Sequence, residues 1–263
     1  MKAHTDRRRS ITHALVSLAV AAAVYQGISL SGVFPQVLLP TIQTILHRLL
    51  VMMVNGVMLN DAGATLYRVL VGFGLAIAVG LPLGILMARF RPIEHFFLPL
   101  ISALMPIPSF SLVPLFMLWF GIGDLTTILV VFYAATFPIL FNVWSGVRAV
   151  NPLWLRAAGA MGADERRLFW KVIIPGASPF IIIGARQAFL RAWVAVVGAE
   201  MIAASNYGLG WVIFNAEQFL QTDIMMASIV VIGVIGFIFE RVIFASIERA
   251  TVQRWGMVRI AKG

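Results

Sequence analysis

The chain of 263 residues contains no cysteine, which excludes a disulfide framework, a thiol nucleophile and a cysteine-ligated metal. Charge is scarce as well. Charged residues make up 12% of the sequence and hydrophobic residues 60%, whereas soluble domains have roughly 25% charged and about 45–50% apolar residues. This composition excludes an ordinary soluble domain and predicts a chain that lies in a lipid bilayer.

Motifs that carry chemistry are also missing. The sequence has no G-x-x-x-x-G-K-[ST] phosphate loop, so we do not expect it to bind ATP in the usual manner. It has no H-E-x-x-H or G-x-S-x-G motif, and its histidines are scattered at positions 4, 13, 47 and 95. The sequence therefore predicts no catalytic residue, no metal site and no resident cofactor.

Six apolar runs are long enough to cross a bilayer, whose hydrocarbon core of about 30 Å requires about 20 residues in a helix. They cover residues 11–29, 66–88, 96–120, 126–147, 178–200 and 224–245. The sequence therefore predicts an all-α polytopic membrane protein with six transmembrane helices.

Positive charge is distributed unequally among the segments that connect these runs. Most Lys and Arg residues lie on the side that contains both termini, and the opposite side contains Arg48. Cytoplasmic loops carry the basic excess in membrane proteins, so we expect both termini to be cytoplasmic and no nucleic acid to be bound. The basic residues on the predicted cytoplasmic side are Lys2, Arg7, Arg8, Arg9, Arg89, Arg91, Arg148, Arg156, Arg166, Arg167, Lys171, Arg249, Arg254, Arg259 and Lys262.

The first run has a second interpretation, a cleavable signal peptide. Three arginines precede it, and it contains the small residues Ala21, Ala22 and Ala23. However, the apolar run continues to Ile28, and its removal would leave an odd number of spans. We therefore interpret it as an uncleaved first helix.

A shorter pattern lies between the first two runs. Apolar residues recur there at helical spacing, which predicts an amphipathic helix. They are Ile42, Ile45, Leu46, Leu49, Leu50 and Met53. We interpret this helix as lying along the membrane interface or against its neighbours, with a lid that contacts substrate as the alternative.

The third run contains four prolines, at positions 99, 106, 108 and 114. Proline removes backbone donors, and a broken helix in a membrane persists only where protein or a water-filled path covers it. We therefore place Met105, Pro106, Pro108 and Ser109 on a translocation path; a kinked structural helix is the alternative. Small residues in the spans predict close helix packing. They include the pair Gly80 and Gly84, and Gly72, Gly74, Gly184, Gly233 and Gly236.

Three charged residues lie in the fifth run, where each would cost about 2.5–3.5 kcal/mol at a helix centre. We expect Arg186 to extend to the cytoplasmic surface and Glu200 to lie near the outer end, in reach of water. Three interpretations of Arg191 stay open: it faces a polar cavity, it pairs with an acid on another helix, or it contacts an anionic substrate. We include Arg191 and Glu200 among the path residues.

The segment 151–175, here called the polar island, separates two apolar runs. It reads N-P-L-W-L-R-A-A-G-A-M-G-A-D-E-R-R-L-F-W-K-V-I-I-P. Asn151 and Asp164 are favourable N-caps, Gly162 allows a break between them, and Pro175 is expected to end the second helix. Two short, rigid helices on the surface of a membrane protein indicate a surface that is presented to a partner.

The polar island resembles the cytoplasmic loop of binding-protein-dependent ABC importer permeases, whose pattern is E-A-A, three residues, G, nine residues, then I-x-L-P. Here it reads Arg156-Ala157-Ala158, Gly162, then Val172-Ile173-Ile174-Pro175. The spacing is kept, whereas Arg156 reverses the charge of the family Glu. Segments similar to the nitrate/sulfonate/taurine-type subgroup are L-W-F-G-I-G-D at 118–124, A-E-M-I-A-A-S at 199–205, Y-G-L-G at 207–210 and F-L-Q-T-D at 219–223.

This resemblance implies a type I ABC importer permease in the bacterial inner membrane, a homodimer that takes solute from a periplasmic substrate-binding protein. ATP and Mg²⁺ would bind to separate ABC ATPase subunits. The island would be the coupling helix, with ionic contacts from Asp164, Glu165, Arg166 and Arg167, an apolar anchor from Leu168 and Phe169, and Ile174 and Pro175 closing the motif. The implied solute is a small anion such as a sulfonate, taurine or nitrate.

The resemblance also divides the chain. Residues 1–59 would form the N-terminal tail, first span and amphipathic helix, 60–246 the permease core, and 247–263 a basic cytoplasmic tail. Two other classes stay open from the residues alone. A gradient-driven secondary transporter would favour two similar halves with buried coupling acids, and a membrane scaffold would not need the proline-broken span.

Overall fold

A computed structural model describes residues 2–204, 206–248 and 251. Within them every regular element is helical. The helices are α1 (Lys2–Leu30), α2 (Ile42–Val54), α3 (Val57–Arg89), α4 (Arg91–Leu104), a 3₁₀ turn (Ser109–Leu112), α5 (Val113–Phe120), α6 (Asp124–Arg148), α7 (Pro152–Ala160), α8 (Glu165–Leu168), a π-helical turn (Phe169–Ile173), α9 (Ile174–Ala203), α10 (Leu209–Gln218), α11 (Thr222–Ile238), a second π-helical turn (Phe239–Phe244) and α12 (Ala245–Glu248).

The number of spans agrees only in part with the predicted six. In the described residues four helical stretches are long and apolar enough to cross a membrane: Val57–Arg89, Asp124–Arg148, Glu165–Ala203 and Thr222–Glu248. A fifth span results if the bent pair Arg91–Leu104 and Ser109–Phe120 counts as one. The first predicted span corresponds to the short apolar stretch Val16–Leu30 and stays a prediction. Most of the predicted basic tail, including Arg249, Arg254, Arg259 and Lys262, lies outside the described residues, as does Ser205.

Helices α3, α6 and α9 pack together at the centre of the molecule. Small residues allow this, as predicted: a Cβ at Gly84 would lie 2.8 Å from the carbonyl oxygen of Leu140, and one at Gly184 would lie 2.5 Å from the Cβ of Asn142. Such approaches replace lipid with close backbone contact. Gly74 and Gly233 have no such atom of the described chain within 4 Å, so they take no part in this packing within one chain.

The third predicted span is broken, as its prolines indicate. Helices α4 and α5 meet at an angle of 87° across the residues that contain Pro106 and Pro108. Neither proline can donate a backbone hydrogen bond, so a regular helix cannot pass through this segment. Tyr133 of α6 supports the break, because its hydroxyl donates to the carbonyl oxygen of Leu104 at 2.6 Å.

The amphipathic helix α2 packs against α3 and α11. Its apolar side is covered, with Ile45 and Met52 buried. The Nε of Arg48 donates to Asp223 at 2.6 Å, which ties α2 to the beginning of α11. This is the predicted arrangement of a helix that lies against its neighbours.

Pro175 does not end a helix, so this expectation was wrong. The chain is helical without a break over Glu165–Ala203, 39 residues. Pro175 lies directly after the π-helical turn Phe169–Ile173, and such a widened turn is a common way for a helix to pass a residue without an N–H. Pro179, one turn later, removes the usual partner of the Pro175 carbonyl, and the Ser178 hydroxyl donates to that carbonyl at 2.8 Å.

Candidate functional site

The polar island has the rigid, capped construction that its sequence predicts. The side chain of Asn151 accepts from the N–H of Leu153 at 2.9 Å at the start of α7. The side chain of Asp164 accepts from the N–H of Arg167 at 2.8 Å at the start of α8. Gly162 connects the two helices with φ of +79°, in the left-handed region that favours glycine.

The island is also fixed to the membrane helices. Arg89, at the end of α3, donates through Nη2 to Glu165 at 2.6 Å. Leu168 and Phe169 are half-buried and line a cavity of about 320 Å³ together with Ile85 and other residues of the spans. These two predicted anchors therefore contact the chain's own helices.

Other apolar side chains of the island point away from the molecule. Met161 is 82% exposed, more than any other large apolar residue of the island, and Trp170 is 62% exposed. Sequence reasoning did not single out either residue, although an exposed apolar side chain on a polar loop is a common signal of an interface. Of the predicted coupling residues, Arg156, Ala157, Gly162, Asp164, Glu165, Arg166 and Arg167 are exposed, Ala158 is buried, and Ile174 and Pro175 are half-buried.

A cavity of about 610 Å³ lies beside the break between α4 and α5. It is bounded by the broken segment, α6 and α9. The structure brings five of the six predicted path residues to this one cavity: Met105, Pro106, Pro108, Ser109 and Arg191. The other lining residues are Ile107, Phe110, Tyr133, Ala134, Phe137, Leu190, Val194, Ala195 and Gly198.

Arg191 is the charged residue of this cavity. It lies on α9 and is exposed. Among the described residues it has no ion pair within 4 Å, in contrast to Arg68 of α3 and Arg186 of its own helix α9. Of the interpretations left open for Arg191, the structure therefore supports a cavity, though one with mostly apolar walls, and not a described carboxylate on another helix of the same chain.

Glu200, the sixth predicted path residue, lies outside the cavity. Its side chain is 0% exposed, so the expectation that water relieves its charge is wrong. Arg68 does so instead, since its Nη1 donates to Oε1 of Glu200 at 2.7 Å. Arg186, expected to extend to the cytoplasmic surface, has a side chain that is 38% exposed, and its Nε donates to Glu240 at 2.8 Å.

The Arg68–Glu200 pair is the centre of a larger network, here called the buried network. Oε2 of Glu200 accepts from the hydroxyl of Thr65 at 2.9 Å and from the N–H of Gly210 at 3.0 Å. Arg68 also donates to Asp124 at 2.7 Å and to the carbonyl oxygen of Tyr207 at 2.7 Å. All remaining polar atoms of the pair thus have partners, as a charge pair inside a membrane requires.

The buried network gives a physical reason for three sequence segments that lie far apart in the chain. L-W-F-G-I-G-D provides Asp124, A-E-M-I-A-A-S provides Glu200, and Y-G-L-G provides Gly208 and Gly210. A Cβ at Gly208 would lie 2.6 Å from Nη1 of Arg68. Arg68 was not singled out from the sequence; the available signal was a charge inside an apolar run.

An all-helical chain with a cavity beside a broken span, and with a capped loop at one end, has the architecture of a membrane transport subunit. Comparison with known families identifies one family. The family model of the binding-protein-dependent transport system inner membrane component matches residues 80–254. The chain belongs to this family, and it is therefore a multi-pass permease subunit and not itself an enzyme. This membership sets aside the secondary transporter and the scaffold.

Relatives extend over most of the chain. It is 32% identical to the taurine transport system permease protein TauC of Escherichia coli strain K12, over 88% of this chain and 86% of that protein. It is 33% identical to a Bacillus subtilis permease named for aliphatic sulfonates, over 83% and 79%. It is 31% identical to the bicarbonate transport system permease protein CmpB of Synechococcus elongatus, over 73% and 67%.

The fold has a counterpart among solved structures. A chain of the MetNI methionine ABC transporter, determined in inward-facing conformations, matches with a TM-score of 0.63 and 19% identity. The match covers 76% of this chain and 97% of that chain. The fold is therefore that of a type I ABC importer permease.

Proposed function

We propose that this chain is the permease subunit of an ATP-driven importer that moves a small sulfonate-, taurine- or nitrate-like anion from a periplasmic binding protein to the cytoplasm. The observation that carries the proposal is the unbroken helix Glu165–Ala203. It joins the rigid island at one end to the cavity that contains Arg191. The relatives named for taurine and aliphatic sulfonates support a substrate that carries a sulfonate group.

The proposal includes three partners. ATP and Mg²⁺ bind to separate ATPase subunits, because this sequence has no phosphate loop. A periplasmic binding protein delivers the solute, and a second copy of this chain completes the membrane path. Both termini and the island face the cytoplasm. The positions of the cations support this orientation. Arg89 ends α3 and Arg148 ends α6, and the basic residues of the island follow directly after α6, at the opposite end from Asp124.

The island docks on the ATPase. Asp164, Arg166 and Arg167 are exposed and available for ionic contacts, as the resemblance implies. We add Met161 as an apolar contact, because its side chain is 82% exposed in the part of the chain that the structure describes. An exposed apolar centre with a charged rim is the usual anatomy of a protein interface.

Transport follows from the rigidity of these connections. ATP closes the ATPase dimer and draws the two docked islands together. The spans then change from an inward-facing to an outward-facing arrangement, and the binding protein releases its solute into the open path. Hydrolysis resets the subunits. A flexible loop would absorb this movement, whereas the capped island passes it to α9.

Substitution of Gly162 tests the proposal. A Cβ at this position would contact nothing within 4 Å, so a larger residue acts only through the positive φ. The left-handed conformation costs roughly 1–2 kcal/mol for most residues and little for Asn. We expect Gly162→Val to lower the amount of solute imported per ATP hydrolysed, while Gly162→Asn stays close to the unmodified protein.

The measurement uses proteoliposomes that contain the permease, its ATPase and the binding protein. Uptake of radiolabelled sulfonate and release of phosphate are recorded in parallel. The proposal would be contradicted by Gly162→Val importing as much solute per ATP as the unmodified protein. It would also be contradicted if the unmodified permease transported solute without an ATPase.

A further inference from the structure

The charge of Arg191 has no counter-ion in this chain. The other two described arginines in the cores of α3 and α9 are held by carboxylates, Arg68 by Glu200 and Arg186 by Glu240. Arg191 has neither an ion pair nor a hydrogen bond to any described residue, and it is exposed to the cavity. An intramembrane cation without a partner is a functional site by default.

Among the residues whose side chains the structure describes, a second copy of the chain offers no free acid for this position either. The carboxylates within the described spans are Asp61, Glu200 and Glu240, and each is engaged: Asp61 accepts from the N–H of Gly208, and the other two hold arginines. The remaining described carboxylates lie at helix ends, in the island or near the bundle surface: Glu94, Asp124, Asp164, Glu165, Glu217, Asp223 and Glu248. A homodimer would therefore bring a second Arg191 to this depth and no free described acid. A ligand is then the counter-ion that these contacts leave open.

The walls of the cavity restrict that ligand further. Most lining side chains are apolar or aromatic, among them Ile107, Phe110, Phe137, Leu190 and Val194. The free polar donors are the guanidinium of Arg191 and the hydroxyl of Ser109, which has no hydrogen-bond partner among the described residues. No carboxylate lines the cavity to receive an ammonium group. The volume of about 610 Å³ is within the usual range of small-molecule sites.

We propose that this cavity selects an organic monoanion with an apolar tail, such as a short alkanesulfonate, and that Arg191 binds its anionic group. The tail packs on the apolar wall. Zwitterions are disfavoured because their ammonium finds no acid, and small inorganic anions such as bicarbonate are disfavoured because they leave the apolar wall uncovered. This inference rests on the proposed function and names the substrate class of the same site.

The test measures binding without the binding protein, whose own selectivity would otherwise dominate. The complex of permease and ATPase is placed in nanodiscs, and radiolabelled butane-1-sulfonate is titrated. Hexane-1-sulfonate, taurine and bicarbonate serve as competitors. We expect the two alkanesulfonates to compete with each other, and taurine and bicarbonate to compete at least about tenfold more weakly. We expect Arg191→Gln to weaken binding at least about tenfold and Arg191→Lys to weaken it less.

The control is Arg241→Gln, which removes an exposed arginine of the second π-helical turn, outside the cavity. It should bind like the unmodified complex. The inference is overturned if the unmodified complex does not bind butane-1-sulfonate, if Arg191→Gln binds it equally well, or if taurine competes equally well. ATP hydrolysis by each complex is recorded in parallel. Failure of the unmodified permease to assemble with the ATPase would contradict the proposed function. Retained ATP hydrolysis, with butane-1-sulfonate binding that Arg191→Gln leaves unchanged, would contradict this inference alone.

Discussion

Replacement of Glu200 by Gln is the most direct test of the buried network. Glu200 is 0% and Arg68 is 4% exposed, so neither charge has water as an alternative partner. A Gln side chain has one oxygen in place of two. It can accept either from Arg68 or from Thr65 and Gly210, and its NH₂ group then faces the remaining donors.

The magnitude follows from the geometry of the pair. At a separation of 2.7 Å and an effective dielectric constant of about 20, the Coulomb attraction of two unit charges is about 6 kcal/mol before desolvation. Loss of one partner of a buried pair typically costs about 3–5 kcal/mol. Arg68 retains Asp124, which is 57% exposed, so we expect a value near the lower limit, about 3 kcal/mol.

Thermal unfolding of the purified permease in detergent measures this loss. The seven tryptophans of the chain report the transition by fluorescence. A shift of about 2–4 °C per kcal/mol is typical for a chain of this size, so Glu200→Gln should lower the midpoint by about 6–12 °C. Glu217→Gln is the matched control, because Glu217 is exposed and should change the midpoint little.

A double variant separates the pair from its surroundings. In Arg68→Gln/Glu200→Gln both charges are absent and two amides can face each other. We expect it to be destabilised by less than the sum of the two single variants. Equal midpoints for Glu200→Gln and Glu217→Gln would refute the reasoning, since a buried charge that can be removed without effect is not held by this network.

Two further predictions concern close packing and docking. Gly210→Ala should lower the thermal midpoint, because the added Cβ would lie 2.2 Å from the carbonyl oxygen of Val197 and overpacking costs about 1–3 kcal/mol. The control Gly74→Ala should leave the midpoint nearly unchanged, because no atom of the described chain lies within 4 Å of that Cβ. Met161→Asp should weaken co-purification of the ATPase by about tenfold or more, because burial of a Met side chain contributes about 1.5–3 kcal/mol. The control Met161→Leu should retain co-purification. Equal recovery of the ATPase with both variants would contradict Met161 as an anchor.

Local features of this chain could be predicted from the sequence. The caps at Asn151 and Asp164 and the positive φ of Gly162 depend on residues within a few positions of one another. The break at Pro106 and Pro108 is local as well, because each proline removes its own backbone donor. These rules need no knowledge of the tertiary structure.

Features that depend on distant partners could not be predicted in this way. Arg68 and Glu200 are 132 positions apart, and no periodicity relates them. The role of Pro175 was misjudged because the stop rule for proline assumes an uncompensated carbonyl, whereas a π-helical turn precedes it and the Ser178 hydroxyl accompanies it. Leu168 and Phe169 lie against the spans because the segment that begins at Glu165 lies beside the end of α3, where Arg89 binds Glu165.

The uninterrupted helix from Glu165 to Ala203 connects the island, Arg191 and Glu200. At 1.5 Å per residue it is about 57 Å long, and a tilt of about 5° around one end displaces the other end by about 5 Å. Its first three turns belong to the island, Arg191 lies about two thirds of the way along it, and its last turn contains Glu200. A tilt of this helix therefore displaces the island, Arg191 and Glu200 together.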